Sequence, residues 1–214
     1  LPATLHEVLL CRSIDELYQA EWTQPPLLLG EGSNSIFLSD MQRPVLRFIA
    51  DSVTEQYAAD GILLHVEAGH NWHSLVTYAV QQGWWGIENL ALIPGSVGAA
   101  PVQNIGAYGV EIKDTFVSCE AMKIDTQEIT TFDKAACKFG YRESIFKADL
   151  KNQYVIVSVV FKLTKKNHKL NTSYGAIDVE LENMGIKNPT IQEVSKAVIA
   201  IRESKLPNPK ELGN

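Results

Sequence analysis

The sequence is poor in several features that would assign it to large functional classes. It contains no apolar run of about 18 residues, the length that a membrane-spanning helix needs, so no transmembrane segment is predicted. Its 19 basic residues are outnumbered by 25 acidic ones, which argues against a general nucleic-acid binder. Its start lacks the basic residues and apolar stretch of a secretory signal. We therefore expect a cytoplasmic protein without membrane or nucleic-acid partners.

Cysteines and clustered metal ligands are also scarce. The three cysteines, Cys11, Cys119 and Cys137, lie far apart without metal-binding spacing, which indicates small buried thiols in a reducing compartment. His70 and His73 are close in sequence, but no third ligand accompanies them. They are more typical of polar residues at a helix start, so no metal site is predicted.

What the sequence does contain is a long stretch of small residues, residues 88–109. It holds four glycines and two prolines but a single charged side chain. Glycine and proline make a regular helix costly here, and the stretch is too apolar for an ordinary exposed loop. Small residues let main-chain N–H groups approach phosphate oxygens closely. The stretch therefore indicates either an anion-binding loop or a tight buried connection between packed elements.

A second glycine loop, residues 30–34, lies between two apolar runs, residues 27–29 and 36–38. We interpret this as strand, glycine turn, strand, an arrangement suited to a phosphate-binding nest. It is not a P-loop, because no Gly-Lys-Ser/Thr closes it, and not a dinucleotide-binding fingerprint, because no helix opens after it. A simple hairpin turn explains the pattern equally well.

Regular elements are predicted elsewhere from caps and periodicity. Capping boxes at Ser13/Glu16 and Thr190/Glu193 predict helices near residues 14–21 and 191–204. Apolar residues at helical spacing predict a third helix from Trp72, stopped by Gly83. The predicted strands cover residues 27–29, 45–49, 62–66, 117–124, 128–132 and 154–163, the last apolar enough to be central in a sheet. Because helices do not alternate strictly with strands, the predicted fold class is α+β.

Six motifs together give the chain a family resemblance. Besides the two glycine loops, they are Ala68-Gly69-His70-Asn71-Trp72, Phe139 to Lys147, Thr172-Ser173-Tyr174-Gly175 and Arg202 to Pro209. In this order they resemble the UDP-N-acetylenolpyruvoylglucosamine reductases (MurB), flavoenzymes of peptidoglycan precursor synthesis, over nearly the whole chain. The departures are small. Family members often carry Glu at the position of His70, and Gly or Ser at those of Ala99 and Ala100.

The resemblance implies a two-lobed FAD-binding domain of the vanillyl-alcohol-oxidase (PCMH) type, with FAD between the lobes. The lobes would be residues 1–50 and 51–206, and residues 207–214 would begin a linker to a substrate-binding domain absent from this chain. No histidine lies in residues 30–35 to attach the flavin, so we expect non-covalent FAD. The implied cofactor-binding residues are Gly30, Glu31, Gly32, Ser33, Asn34, Ser35, Pro94, Gly95, Ser96, Gly98, Ala99, Gln103, Asn104, Ile105, Gly106, Ala107, Tyr108, Gly109 and Arg202.

The resemblance also implies chemical roles for single residues. Arg142, on sequence alone an ordinary surface charge, corresponds to the active-site arginine that faces the substrate's enolpyruvyl group. A guanidinium suits this role, because it stabilises the negative charge left by hydride addition and cannot lose its proton. Tyr174, otherwise a turn aromatic, would contact the uridine diphosphate. Lys205, otherwise a lysine favoured at a helix C-terminus, would contact the pyrophosphate.

The implied activity is the reduction of UDP-N-acetylglucosamine enolpyruvate to UDP-N-acetylmuramate by a monomer, with NADPH as electron donor. In the family, the serine that protonates the substrate lies just beyond the position of Asn214, so we expect this chain alone to be inactive. Two alternatives stay open. One is a flavin oxidase or dehydrogenase of the same fold with another substrate, and the other is a non-catalytic nucleotide-binding module.

Overall fold

A computed structural model describes residues 3–206 and contains two larger sheets that follow each other along the chain. The first is a small parallel sheet made of β1 (Val8–Cys11), β2 (Leu27–Leu28) and β3 (Val45–Phe48). Its central strand is β3, which pairs with β1 on one side and β2 on the other. The chain leaves this sheet after Phe48 and enters the second sheet at Val53.

The second sheet has five strands in antiparallel order β4-β5-β10-β8-β9. Its strands are β4 (Val53–Ala58), β5 (Gly61–Glu67), β8 (Phe116–Lys123), β9 (Ile129–Asp133) and β10 (Tyr154–Thr164). The central position of β10 is the one that its apolar sequence predicts. Two short strands, β6 (Gly106–Ala107) and β7 (Val110–Glu111), form a separate hairpin between β5 and β8 in the chain.

The described residues form four α-helices: α1 (Ile14–Gln19), α2 (Trp72–Gln81), α3 (Gly175–Asn183) and α4 (Ile191–Lys205). Ser13 caps α1 by accepting the Glu16 N–H at 3.0 Å, and the full capping box of α4 is present. The starts of both helices are therefore where the sequence predicts them. Among residues 3–206, no helix has the length and apolarity needed to cross a membrane.

A continuous core joins the two sheets and the helices. The apolar face of α2, including Trp72, Leu75 and Val76, is buried in it, and the Trp72 ring meets Phe161 of β10 edge-on at 5.8 Å between centroids. Residues Leu46 and Phe48 of the small sheet belong to the same core. This packing fixes the small sheet and the start of α2 relative to the large sheet.

The structure differs from the sequence prediction in several elements. Residues 36–38 do not form a strand. In the described part of the chain their backbone pairs with no strand, and Ile36 and Leu38 are exposed, so the run lacks both the hydrogen bonds and the burial that stabilise a strand. Helix α1 ends at Gln19, before the predicted boundary at residue 21. The sequence also gave no prediction for β1, β4, α3 or the β6–β7 hairpin. The expected linker at residues 207–214 lies outside the described residues.

Candidate functional site

The two glycine loops face each other across a narrow gap. A Cβ atom built on Gly30 would lie 3.1 Å from Ser96 Oγ and 3.4 Å from Ala99 Cβ. A Cβ atom on Gly95 would lie 3.4 Å from Ser33 Oγ. A side chain at Gly30 would therefore be in tight contact with Ser96 and Ala99 of the other loop. The loops, far apart in sequence, are thus opposite walls of one site.

Within the stretch 88–109, the backbone of residues 95–98 is hydrogen-bonded to the segment that leads into α2. Gly98 donates its N–H to Ala68 O at 2.8 Å, and Gly95 O accepts the Trp72 N–H at 2.9 Å. A Cβ on Gly98 would lie 2.5 Å from Ala68 Cβ, so the approach is as close as glycine permits. The glycines of residues 95–98 therefore serve both a positive φ, 117° at Gly95, and close backbone packing.

Between the loops lies a cavity of about 680 Å³, a size typical of small-molecule sites. Arg142 lines it. So do most of the residues that the sequence assigned to the cofactor, namely Gly30, Glu31, Gly32, Ser33, Asn34, Ser35, Pro94, Gly95, Ser96, Gly98, Ala99, Gln103 and Ile105.

The cavity wall suits both halves of FAD. Hydroxyl and amide groups of Ser33, Asn34, Ser96 and Gln103 line it beside the closely approaching glycine backbone, which is the kind of wall that phosphate oxygens need. Apolar residues of the core, Trp72 among them, lie behind this wall, as in most small-molecule sites.

Several lining residues were missed by the sequence reasoning. Trp72 and Lys147 lie within motifs that carried the family resemblance, so the motifs themselves were a usable signal. Asn152 and Tyr154 have no such signal. They reach the cavity because β10 begins beside it. The position of this strand end depends on how the sheet packs, which the sequence does not show.

Residues 106–109 lie outside the lining of this cavity and form strand β6 and the turn of the β6–β7 hairpin. Tyr108 and Gly109 are its two turn residues, with φ of 51° and 78°, the left-handed conformation that two-residue hairpin turns require. Arg142 links the hairpin to the cavity, because it lines the cavity while its Nη2 donates to Gly106 O at 2.8 Å. A permanently charged planar donor thus lies at the junction of the two regions.

Tyr174 lies beside the same hairpin. Its half-exposed ring meets Tyr108 edge-on, with 5.4 Å between centroids. Buried Asn89 holds the two segments together, because its Nδ2 donates to Tyr108 O at 3.0 Å and to Asn171 O at 2.8 Å. The side chain of Asn171 in turn donates to Gly109 O at 3.0 Å. The segment before α3 is therefore locked against the hairpin turn.

The start of the small-residue stretch is anchored by a hydrogen bond between His168 and the buried Glu88 carboxyl. Glu88, only 2% exposed, contacts His168 Nε2 at 3.0 Å and accepts the Gly86 N–H at 2.6 Å. Burial by itself would raise the pKa of the Glu88 carboxyl, but the hydrogen bonds from His168 and Gly86 outweigh it and hold the pKa below its usual value. The edge of the Trp85 ring packs against His168 with centroids 5.2 Å apart. Glu88 thus ties this stretch to the segment that follows β10.

Arg202 lies outside the lining as well and contacts the loop that leads to Pro94. Its Nε donates to Leu92 O at 3.1 Å, while His73 Nδ1 accepts the Leu92 N–H at 3.0 Å. Leu92 has a φ of 56°, so the two contacts hold a strained backbone position. Burial lowers the pKa of His73, which keeps its ring neutral and able to accept. Lys205 is exposed near the end of α4.

Asn104 is buried and also lies outside the cavity lining. Its side chain bonds the backbone on two sides, donating to Gly140 O at 2.8 Å and accepting the Lys113 N–H at 3.2 Å. The structure thus brings together the two glycine loops and Arg142. Outside the cavity lining lie the β6–β7 hairpin, Tyr174, Arg202 and Asn104. Two of these remain bonded to the Arg142 turn, because Arg142 donates to Gly106 O and Asn104 donates to Gly140 O.

Comparison with known proteins agrees with this geometry. A family model described as "FAD binding domain" matches residues 20–132, more than half of the chain. The chain is 47% identical over its whole length to the UDP-N-acetylenolpyruvoylglucosamine reductase of Flavobacterium johnsoniae and covers 65% of that protein. It is 50% identical over 88% of its length to the enzyme of the same name from Amoebophilus asiaticus, and covers 56% of that one. The chain therefore spans less than two thirds of these relatives.

Solved structures show the same fold. The MurB crystal structure from Thermus caldophilus matches 94% of this chain and 64% of its own, with a TM-score of 0.68 and 22% identity. A solvent-stable cholesterol oxidase matches 75% of this chain and 35% of its own, with a TM-score of 0.52 and 14% identity. The predicted α+β fold of the vanillyl-alcohol-oxidase type is confirmed, as is the resemblance carried by the six motifs. The chain belongs to the FAD-binding domain family.

Proposed function

We propose that the protein containing this chain reduces UDP-N-acetylglucosamine enolpyruvate to UDP-N-acetylmuramate in the cytoplasm, as a monomer, with NADPH as electron donor. One observation carries the proposal. Arg142 lines the cavity between the glycine loops and at the same time bonds Gly106 of the hairpin on which Tyr174 packs. The Arg142 guanidinium thereby lies between the cofactor cavity and the hairpin surface that carries Tyr108 and Tyr174. The relatives named UDP-N-acetylenolpyruvoylglucosamine reductase support the same function.

In this proposal the two glycine loops hold FAD without a covalent bond. Ser33, Asn34, Ser96 and Gln103 would donate to its polar groups, while the glycine backbone leaves room for its phosphates. Bound FAD supplies a hydride acceptor and donor that no side chain can replace. We further propose that residues 1–50 and 51–206 act as its two binding lobes, supported by the change of sheet between Phe48 and Val53.

Arg142 would stabilise the negative charge that develops on the substrate. The Gly106 carbonyl fixes the direction of its planar guanidinium before the substrate arrives. Charge stabilisation by a donor that is already oriented costs no rearrangement during the reaction. Lys147 supports this orientation, because its Nζ donates to Arg142 O at 2.8 Å.

Tyr174 and Lys205 would bind the nucleotide part of the substrate. The half-exposed Tyr174 ring is held against Tyr108 by the Asn89 contacts, so it offers a fixed aromatic surface beside the hairpin. Lys205 is an exposed positive charge near the end of α4 and would attract the diphosphate. Arg202 would act on the cofactor loop through Leu92.

The proposal is tested by separating the two half-reactions of the full-length protein in anaerobic stopped-flow experiments. Arg142→Lys keeps the positive charge but loses the planar fork. We expect flavin reduction by NADPH to stay near normal, while reoxidation by the enolpyruvyl substrate loses about 2–4 kcal/mol of barrier stabilisation. Product mass should identify UDP-N-acetylmuramate in the wild type, and acid precipitation should release all of the yellow colour.

Two results would count against the proposal. Equal slowing of both half-reactions would place Arg142 in the flavin site or the fold rather than beside the substrate. A wild-type enzyme that NADPH reduces but that the enolpyruvyl substrate fails to reoxidise would show that another substrate is used.

A further inference from the structure

The backbone turn that carries Arg142 needs support from outside itself. Gly140 and Glu143 pair through both of their N–H groups, at 3.0 and 3.3 Å, which leaves Tyr141 and Arg142 at the tip. Arg142 has a φ of 54°, a conformation that is unfavourable for any residue with a side chain other than Asn or Asp. Tyr141 is 87% exposed and gives the tip no packing. Contacts to the turn must therefore hold it in place.

Asn104 provides the buried contact. Its Nδ2 donates to Gly140 O, at the base of the turn, and its Oδ1 accepts the Lys113 N–H. The Asn104 side chain is completely buried, so water cannot replace either hydrogen bond if the amide is removed. The outer contacts to the turn, from Lys147 to Arg142 O and from Arg142 to Gly106 O, are exposed.

The backbone at Asn104 explains why asparagine occupies this position. Its φ and ψ are 44° and 62°, the left-handed region in which Asn is one of the few residues tolerated. The N–H of Asn104 donates to Pro101 O at 3.3 Å, and the next N–H, of Ile105, donates to Ala100 O at 3.2 Å. This end of the glycine-rich stretch is therefore tightly wound, and it directs the Asn104 side chain away from the cavity and toward the turn.

We propose that Asn104 is a positioning residue for Arg142. By bonding Gly140 and Lys113, it fixes residues 140–143 against the cofactor loop, so that the guanidinium lies between the cavity and Gly106. This role differs from the expectation that Asn104 contacts FAD, and it rests on the position of Asn104 outside the cavity lining. The catalytic consequence rests on the proposed function, whereas the position of the turn does not.

Two variants of the full-length protein separate this role from others. Asn104→Gly accepts the left-handed backbone and removes both side-chain bonds. Asn104→Asp keeps the shape and the acceptor for Lys113, but it replaces the donor by an oxygen that faces the Gly140 carbonyl. The matched control is Asn167→Gly, because Asn167 also has a positive φ, 58°, but is exposed in the loop after β10.

The first measurement is the rate of trypsin cleavage after Arg142, followed by mass under native conditions. Cleavage requires local opening of the turn, and loss of a buried hydrogen bond should raise the rate about tenfold in both Asn104 variants. Asn167→Gly should cleave at the wild-type rate. An unchanged rate in the Asn104 variants would overturn the proposal, whatever the enzyme's reaction proves to be.

The second measurement is a double-mutant cycle between Asn104→Asp and Arg142→Ala. We expect Asn104→Asp to slow flavin reoxidation by substrate about 100-fold, as for a catalytic group displaced by about 1 Å, without changing the Kd for FAD or flavin reduction. In the Arg142→Ala background it should cause no further loss. Weaker FAD binding, or an equal loss in both backgrounds, would overturn the inference. If Arg142→Ala itself leaves reoxidation intact, the proposed function fails, and the trypsin result still decides the position of the turn.

Discussion

Gly98→Ala tests whether the cofactor loop depends on close backbone packing. The added Cβ would lie 2.5 Å from Ala68 Cβ and 3.2 Å from the Ala68 Cα and O atoms. Non-bonded carbon atoms prefer a separation of about 3.5–4.0 Å, so one segment must move by about 1 Å. Two of the three neighbouring atoms are backbone, and the Gly98 N–H already bonds Ala68 O, so neither segment can rotate away cheaply.

The expected cost is therefore that of overpacking a buried contact, about 1–3 kcal/mol of unfolding free energy. The displaced loop should also bind FAD more weakly, and a tenfold rise in Kd corresponds to about 1.4 kcal/mol. Gly175→Ala is the matched control. Gly175 is the first residue of α3, and a Cβ there would meet no described atom within 4 Å. This control should be as stable as the wild type or slightly more stable, because Ala favours helix over Gly.

Urea unfolding followed by tryptophan fluorescence measures the stability of all three proteins, and flavin fluorescence titration measures FAD binding. A Gly98→Ala protein as stable as Gly175→Ala, with an unchanged Kd for FAD, would refute the argument. It would mean that the contact between residues 68 and 98 is looser than the structure shows.

Two further predictions concern pH. Because the folded-state pKa of Glu88 is depressed, its stabilising contribution is present above about pH 4.3 and is lost as the pH falls below that value. Unfolding free energies measured from pH 6 to pH 3.5 should therefore fall more steeply in the wild type than in Glu88→Gln. Parallel curves for the two proteins would contradict this prediction. The folded-state pKa of His73 is also depressed, so its contribution is present above about pH 6.5 and is lost at lower pH as the ring protonates and stops accepting the Leu92 N–H. Urea unfolding at pH 7.5 and 5.5 should show a smaller pH dependence in His73→Gln than in the wild type, and an equal dependence would assign the effect to other groups.

Sequence reasoning succeeded where the determining interactions are local. Ser13 and Thr190 cap helices within their own first turns, so a few neighbouring residues suffice to predict each start. The two glycine loops were recognisable from their composition, although each pattern alone also fitted a structural turn or connection. Residues 36–38 show the limit of such reasoning, since an apolar run becomes a strand only if a partner edge lies beside it.

One part of the site could be predicted from the sequence, and another part was decided only by the tertiary structure. The sequence by itself determined that two glycine loops and an arginine motif are present, because backbone freedom and permanent charge are properties of single residues. Only the tertiary structure decided that Gly30 faces Ser96, that Asn152 and Tyr154 reach the cavity, and that Asn104 bonds Gly140 instead of lining it. These pairings join segments far apart in the chain, and they depend on how the sheets and loops pack. No local pattern specifies which backbone group a buried amide will meet.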